Sequence, residues 1–173
     1  MKFTTAAAFL LLSAFAAAEE AEKKPSARMH VKIYEGPTEC ADEEKVVREK
    51  HLIMHYTGYI DESSETGEKG KKFDSSHDRN QTFAFQIGVG QVIPGWDKGL
   101  LNLCKGAKAI LTIPPEMGYG ERGAGADIPG GATLKFDVEV VDILDSAPPP
   151  PNVFKEIDSD ADKKLTKDEV EAW

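Results

Sequence analysis

The sequence predicts an α+β fold in which an antiparallel sheet wraps around one short α-helix. From Leu134 to Val140 apolar residues alternate with polar ones, which is the period-two pattern of a strand with one face in water. A short apolar stripe that begins just after Pro94 is typical of a helix packed on such a sheet.

Three further segments predict strands because they are rich in β-branched and aromatic residues: Leu52 to Thr57, Phe83 to Ile87 and Ala107 to Ile113. The helix is expected to begin at Pro94, since a missing N–H costs little in the first turn. Its inward stripe is predicted to consist of Trp96, Leu100, Leu101 and Leu103.

The N-terminal residues 1–18 predict a secretory signal peptide. Lys2 precedes an apolar run that ends in three alanines before Glu19, as at a cleavage site. The run is shorter than the roughly 20 residues that a membrane-spanning helix needs. We therefore expect a lumenal protein, either resident in the endoplasmic reticulum or secreted.

The composition is that of a folded globular chain, with 40% hydrophobic and 29% charged residues. The net charge of -9 argues against nucleic acid or an anionic membrane as a partner. Much of the acidity lies between Glu39 and Glu49 and after Asn152, so it need not describe any binding face.

Six short segments carry aromatic and aliphatic residues at the spacing of a small apolar pocket. They are Met54-His-Tyr-Thr-Gly58, Lys72-Phe-Asp-Ser-Ser76, Phe83-Ala-Phe85, Gly90-Gln-Val-Ile-Pro-Gly-Trp96, Gly118-Tyr-Gly120 and Ala132-Thr-Leu-Lys-Phe136. In this order the chain resembles the FK506-binding proteins from Met29 to Leu144, apart from a polar insertion around Glu62 to Gly70. The resemblance implies a half-barrel sheet and a peptidyl-prolyl cis-trans isomerase that binds proline-containing secretory polypeptides and FK506-type macrolides.

The resemblance also implies the site residues. The apolar walls are assigned to Tyr56, Phe73, Phe83, Val92, Ile93, Trp96, Tyr119, Ile128 and Phe136, with Trp96 as the floor and Asp74 at the edge. The Tyr119 hydroxyl and the Ile93 backbone N–H are expected to donate to ligand carbonyls. Ala124 and Asp127, at positions that form a flap over the pocket in the family, and Met117, just before Gly118-Tyr119-Gly120, depart from many relatives. We therefore expect an altered preference for the residue before proline.

Cys40 and Cys104 are the two cysteines, and we expect them to form a disulfide in an oxidising lumen; secretory relatives carry a similar pair. The alternative is two buried free thiols. Asn80-Gln81-Thr82 is an N-glycosylation sequon whose occupancy the sequence leaves open.

Residues 145–151 form a proline-rich linker, and residues 152–173 predict part of an EF-hand. The candidate calcium ligands are Asp158, Asp160, Asp162, Lys164 through its carbonyl, and Glu169, with Thr166 at the ninth loop position. Lys163 stands where glycine is normally required, which should weaken binding. Because relatives with such tails usually continue into a second hand and a retention tetrapeptide, we expect the natural chain to extend further. The alternative is a solvated acidic tail.

Three functions remain open from the sequence. The first is a lumenal prolyl isomerase that needs no catalytic cofactor. The second is a catalytically weak module that binds proline-containing segments, and the third is a calcium-dependent interaction protein.

Overall fold

The computed structural model describes residues 28–148, 157–158, 160, 163–164 and 166–172. The predicted signal peptide, residues 149–151 of the proline-rich linker and Asp162 therefore lie outside the described residues. Within the described part, no helix is both long and apolar enough to cross a membrane.

Six strands form one antiparallel sheet: β1 (His30–Glu35), β2 (His51–Ile60), β3 (Lys72–Ser75), β4 (Phe83–Gln86), β5 (Lys108–Ile113) and β6 (Leu134–Leu144). The strand order is β1-β5-β6-β2-β3, and β4 pairs with the first half of β2. One short helix, α1 (Pro94–Gly99), packs on the sheet, and α2 (Lys167–Ala172) lies in the C-terminal tail. The predicted antiparallel sheet with one short helix is confirmed.

The centre of the sheet is the long pairing of β2 with β6, which extends from His51 opposite Leu144 to Ile60 opposite Leu134. Every second residue of β2 is buried, including Leu52, Met54 and Ile60, and β6 follows the same alternation from Leu134 to Val140. This concave apolar face is the core of the domain.

Helix α1 lies very close to β5 because a glycine faces the sheet. A Cβ atom on Gly95 would come within 2.5 Å of Ile113 Cγ2, so any larger residue there would push the helix away. The neighbouring Trp96 is 5% exposed and fills the space between helix and sheet.

The predicted helix is too long. Helix α1 ends at Gly99, and Leu100 and Leu103 are buried in the turn that follows rather than on a helical face, while Leu101 is half-buried. The chain leaves the helix because Asn102 adopts a left-handed conformation with φ of 66°. Strands β1 and β3 were not predicted at all.

Cys40 and Cys104 form the predicted disulfide, with a sequence separation of 64 residues. Cys104 is buried at the end of the turn after α1, and its neighbour Leu103 accepts a hydrogen bond from Val46 N–H at 2.9 Å. The bridge therefore ties the segment before β2 to the helix that carries Trp96.

Replacing both Cys40 and Cys104 by Ala should lower the free energy of unfolding by about 4 kcal/mol, because the unfolded chain regains the entropy of a loop of this length. Urea unfolding followed by tryptophan fluorescence measures the change. A loss below about 1 kcal/mol with an unchanged denaturant slope would show that the bridge does not constrain the unfolded chain in this way.

Candidate functional site

The concave face of the sheet and the N-terminal end of α1 enclose a cavity of about 420 Å³, within the size range of small-ligand sites. The structure places nine of the ten predicted site residues around it: Tyr56, Phe73, Asp74, Phe83, Val92, Ile93, Trp96, Tyr119 and Phe136. Gln91 also lines the cavity and was missed.

Ile128, the tenth predicted site residue, is not among the residues that line the cavity, and its role stays a prediction. It is 8% exposed and belongs to the hydrophobic core cluster, as do the cavity-lining Tyr56, Trp96 and Phe136. Its position depends on the turn from Ala124 to Ile128, whose ends exchange two backbone hydrogen bonds of 2.8 and 3.2 Å. Sequence order alone does not tell which way this short turn points its apolar residue.

The floor of the cavity is built from aromatic rings packed edge to face. Trp96 lies 5.1 Å from Tyr56, 6.0 Å from Phe83 and 5.0 Å from Phe136 between ring centroids. Phe73 in turn packs on Phe136 at 5.6 Å. Such pairs stabilise one another beyond the burial of their area, so the floor is a rigid apolar surface.

Gly58 makes this packing possible. It lies on β2, and a Cβ atom there would come within 2.5 Å of the Phe73 ring and 2.9 Å of the Phe136 ring. Any side chain at this position would displace the rings that form one wall of the cavity.

One edge of the cavity is polar. The Tyr56 hydroxyl donates a hydrogen bond to Asp74 Oδ2, and Arg79 donates from one nitrogen to Asp74 Oδ1 at 2.6 Å and from the other to the Tyr56 hydroxyl at 2.9 Å. The three side chains thus fix each other. Arg79 was missed by the sequence analysis because it follows the site motif and reaches back to it only through its long side chain.

The pKa values of three ionisable groups in the cavity are shifted further from neutral pH. Burial raises the pKa of Tyr56, and its hydrogen bond to Asp74 adds to this effect. Burial likewise raises the pKa of Tyr119, together with the nearby charge of Asp74. For Asp74, burial opposes ionisation, but the hydrogen bonds from Tyr56 and Arg79 outweigh it and lower the pKa. None of these three groups is therefore suited to transfer a proton near pH 7.

The segment that leads into α1 is clamped by one carboxylate. Asp97 accepts hydrogen bonds from Gly88 N–H and Gly90 N–H, both at 2.8 Å. The side chain of Gln91 accepts from Gln86 N–H at 2.9 Å, which holds Gln91 at the cavity. The clamp fixes the backbone just before Val92 and Ile93.

Several polar donors of cavity-lining residues make no hydrogen bond within the described part of the chain, among them the buried Trp96 Nε1 at the floor. The Tyr119 hydroxyl makes no hydrogen bond there, and the residue is 39% exposed. The Ile93 carbonyl accepts from Trp96 and Asp97 N–H groups at 2.9 and 3.2 Å, whereas the Ile93 N–H has no described acceptor. An apolar floor with free donors at its margin suits a ligand that is apolar in the middle and carries carbonyl groups.

Replacing Arg79 by Met should raise the pKa of Asp74, because the carboxylate loses a charged donor. The contribution of Asp74 to stability is complete above its ordinary pKa of 3.8 and is lost as the pH falls through the lower folded-state value. In the variant this contribution should therefore be smaller, and it should be fully lost at a higher pH than in the wild type. A carboxyl carbon NMR titration measures the pKa directly.

The exposed Arg122 provides the control for that titration. Arg122→Met should leave the Asp74 titration unchanged. Equal Asp74 pKa values in the Arg79 variant and the wild type would contradict the assigned ion pair.

Comparison with known proteins identifies the same class of molecule. A family model described as "FKBP-type peptidyl-prolyl cis-trans isomerase" matches residues 42–141. The mouse protein "Peptidyl-prolyl cis-trans isomerase FKBP2" is 48% identical over 134 residues, which cover 78% of this chain and 88% of the relative. "FK506-binding protein 2B" of Rhizopus delemar is 59% identical over 92 residues, covering 53% of this chain and 41% of the relative.

The human "Peptidyl-prolyl cis-trans isomerase FKBP2" is 56% identical over 92 residues, covering 53% of this chain and 60% of the relative. Thus the chain spans less than two thirds of the Rhizopus and human proteins but most of the mouse protein. A solved structure described as "Crystal structure of AtFKBP13" has a TM-score of 0.52 and 34% identity, and the match covers 66% of this chain and 90% of that one. These matches confirm the enzyme class predicted from the sequence, and the chain belongs to the FKBP-type peptidyl-prolyl cis-trans isomerase family.

Proposed function

We propose that the protein accelerates cis/trans rotation about X-Pro bonds in secretory-pathway polypeptides, and that it binds the prolyl segment in the aromatic cavity. One observation carries this proposal: the cavity is lined by aromatic rings, and the pKa values of its ionisable groups Tyr56, Asp74 and Tyr119 are all shifted further from neutral pH. Such a site removes water and fixes geometry without moving protons.

Rotation about a peptide bond is slow because the planar amide is stabilised by resonance, with a barrier of about 18 to 20 kcal/mol. The planar amide carries more charge separation than the twisted one. Transfer from water to an apolar surface therefore destabilises the planar ground state more than the twisted transition state, and this lowers the barrier. Each lowering of the barrier by about 1.4 kcal/mol increases the rate tenfold. The proline ring lies over Trp96 in this mechanism, and the flanking backbone stays at the polar edge.

The donors at the cavity margin fix the orientation of the substrate. The Ile93 N–H and the Tyr119 hydroxyl bind the carbonyl groups on either side of the proline. Holding the segment in a turn close to the twisted geometry reduces the entropy lost on reaching the transition state. FK506-type macrolides compete for the same surface.

Replacing Asp74 by Ala should reduce kcat/KM for an X-Pro peptide about tenfold or more, because Tyr56 and Arg79 lose their common acceptor. The matched control is Asp78→Ala: Asp78 lies in the following 3₁₀ turn and pairs with Lys72 at 2.8 Å, away from the cavity. NMR exchange spectroscopy of the peptide measures both. Equal losses in the two variants would contradict a specific role of the cavity edge.

We place this reaction in the lumen of the endoplasmic reticulum, with secretion as the alternative destination. Residues 1–18 act as the signal peptide, residues 29–144 form the isomerase domain and residues 145–151 the linker. The disulfide between Cys40 and Cys104 supports this location, because such bridges persist in oxidising compartments.

Translation in the presence of microsomes should yield a protected chain that begins at Glu19, as determined by N-terminal sequencing. Protease-sensitive chains that retain Met1 would contradict a lumenal location.

A second function, calcium binding by residues 152–173, is favoured by the environment of Asp158. This residue is 9% exposed, and its buried Oδ1 has no hydrogen-bond partner, while Oδ2 accepts the Lys163 N–H at 2.9 Å. An orphaned carboxylate oxygen suits a cation. The described residues contain no group of three or more metal-binding side chains, but Asp162 and the Glu169 side chain lie outside them.

Lys163 adopts the left-handed conformation that the loop requires, with φ of 66°. A residue with a side chain there costs roughly 1 to 2 kcal/mol relative to glycine, which is consistent with a weak site. In the proposed site Asp158, Asp160, Asp162, the Lys164 carbonyl and Glu169 hold the ion.

Calcium titration calorimetry tests this site. Asp158→Ala should weaken binding at least about tenfold, because a charged ligand is lost. Glu171→Gln is the control, since Glu171 lies in α2 and pairs with Lys167 at 3.4 Å. Identical titrations of wild type and the Asp158 variant would leave residues 152–173 as an acidic tail.

A further inference from the structure

We infer that the polar insertion between β2 and β3, residues 62–70, braces the flap, residues 121–131, and thereby sets which residues before proline the cavity accepts. The specificity part of this inference rests on the proposed isomerase function. The brace itself does not, because it is a set of contacts that can be measured without catalysis.

The insertion is anchored at its base by a buried serine. Ser64 is 1% exposed, and its Oγ accepts the Thr133 N–H at 3.0 Å and donates to the Thr66 carbonyl at 2.7 Å. Next to it, Asp61 N–H donates to the Thr133 carbonyl at 2.9 Å. These bonds attach the insertion to the chain just before β6, where the flap ends.

The middle of the insertion touches the flap directly. The Thr66 hydroxyl donates to the Gly130 carbonyl at 2.9 Å in a partly buried position. Gly67 lies against Pro129, since a Cβ atom on Gly67 would come within 2.9 Å of the proline Cγ. This part of the flap therefore has both a hydrogen bond and an apolar contact with the insertion.

A third contact reaches the tip of the flap. Lys71, directly after the insertion, pairs with Asp127 at 2.8 Å. Both side chains are substantially exposed, so this pair contributes less than the bond from Thr66. It nevertheless restrains a tip in which Gly125, Ala126 and Asp127 are otherwise exposed.

The flap is connected to the cavity through Tyr119. The carbonyl of Gly120, which follows it, accepts the Gly131 N–H at 3.0 Å, and Gly131 is adjacent to the carbonyl that Thr66 binds. Holding Gly130 and Gly131 in place thus also holds the backbone of a cavity-lining tyrosine. A flap with fewer conformations accepts a narrower range of side chains next to the proline.

The test compares Thr66→Val, which keeps the shape but removes the donor, with Lys71→Met and the double variant. Lys69→Met is the control, because Lys69 is exposed in the same insertion and makes no hydrogen bond or ion pair in the described part of the chain. Hydrogen exchange at the Ala124, Ile128 and Gly131 amides reports on the brace. Selectivity is the ratio of kcat/KM for Leu-Pro and Ala-Pro peptides.

We expect about threefold or faster exchange at these three amides in Thr66→Val, a larger effect in the double variant and none in Lys69→Met. The Leu-Pro to Ala-Pro ratio should change about threefold, mainly through KM. Unchanged exchange in the double variant would overturn the brace. Faster exchange with unchanged selectivity in an active enzyme would overturn the specificity role of the insertion. An inactive wild type would count against the proposed isomerase function, and the specificity role would fall with it.

An independent observation concerns the sequon Asn80-Gln81-Thr82, from which we infer an N-glycan at the rim of the cavity. Asn80 and Thr82 are exposed, and the Asn80 side chain makes no hydrogen bond to the described part of the chain. Asn80 ends a 3₁₀ turn with φ of 47° and donates its N–H to the His77 carbonyl at 3.1 Å. Its amide group is therefore presented on an outward turn.

Glycan transfer requires a lipid-linked diphospho-oligosaccharide as the donor. A bond forms between Asn80 Nδ2 and the anomeric carbon of the sugar, and the bond from that carbon to the diphosphate oxygen breaks. The lipid diphosphate leaves with the electron pair, and the amide proton passes to a base of the transferase. The glycan would be attached to the residue directly after Arg79, which contacts Asp74, and shortly before Phe83, which lines the cavity. Unfolded protein clients should therefore be hindered more than short peptides.

Thr82→Val removes the sequon while keeping the shape of the residue, and Thr82→Ser preserves it. Protein made in a secreting eukaryotic cell should lose mass on endoglycosidase treatment in the wild type and Thr82→Ser, but not in Thr82→Val. An unglycosylated wild type would overturn the inference; if it also retained residues 1–18, the lumenal proposal would fail as well.

Glycan removal should raise the isomerisation rate on an unfolded protein client and leave the rate on a tetrapeptide unchanged. Equal effects on both substrates would overturn the steric role of the glycan.

Discussion

The packing of Trp96 against the aromatic rings of the sheet is the interaction on which the rest of the structure depends. The indole contacts Tyr56, Phe83 and Phe136 on the cavity side and Phe85 at 5.8 Å deeper in the core. The same ring is therefore both core and floor. Because the floor is also the centre of the core, the cavity cannot be reshaped there without a loss of stability.

Several backbone features bring Trp96 to this position. Gly95 allows α1 to approach Ile113, and Asp97 holds the incoming segment through Gly88 and Gly90. The disulfide then fixes the turn that follows the helix. The apolar floor is thus pre-organised before any ligand arrives, which reduces the entropy cost of binding. The polar edge formed by Tyr56, Asp74 and Arg79 is held equally well, by mutual hydrogen bonds.

The sequence predicted those parts of the fold that depend on local patterns. β6 alternates cleanly because one face is buried, and the chemistry of Pro94 marks the start of α1. β1 was missed because it is an edge strand with five of its six residues exposed, so its apolar pattern is weak. The end of α1 depends on the left-handed Asn102, and the burial of Ile128 depends on the flap turn, neither of which local periodicity reports.

The cavity residues were predicted from an ordered set of motifs rather than from any single ring, since one aromatic residue alone is usually part of an ordinary core. Gln91 and Arg79 were missed because long side chains reach the site only through loops whose course is set by tertiary contacts. The contacts between insertion and flap are likewise non-local, joining Thr66 to Gly130. Sequence reasoning supplied the chemistry of the floor, and the structure added the groups that hold its edges.

The central claim is that this aromatic cavity lowers the barrier to X-Pro rotation. The most direct test is the cis/trans exchange rate of an X-Pro peptide by NMR, with the mature protein present, with and without an FK506-type macrolide. We predict faster exchange that the macrolide abolishes. A folded protein that binds the macrolide but does not accelerate exchange would contradict the claim and leave a binding module.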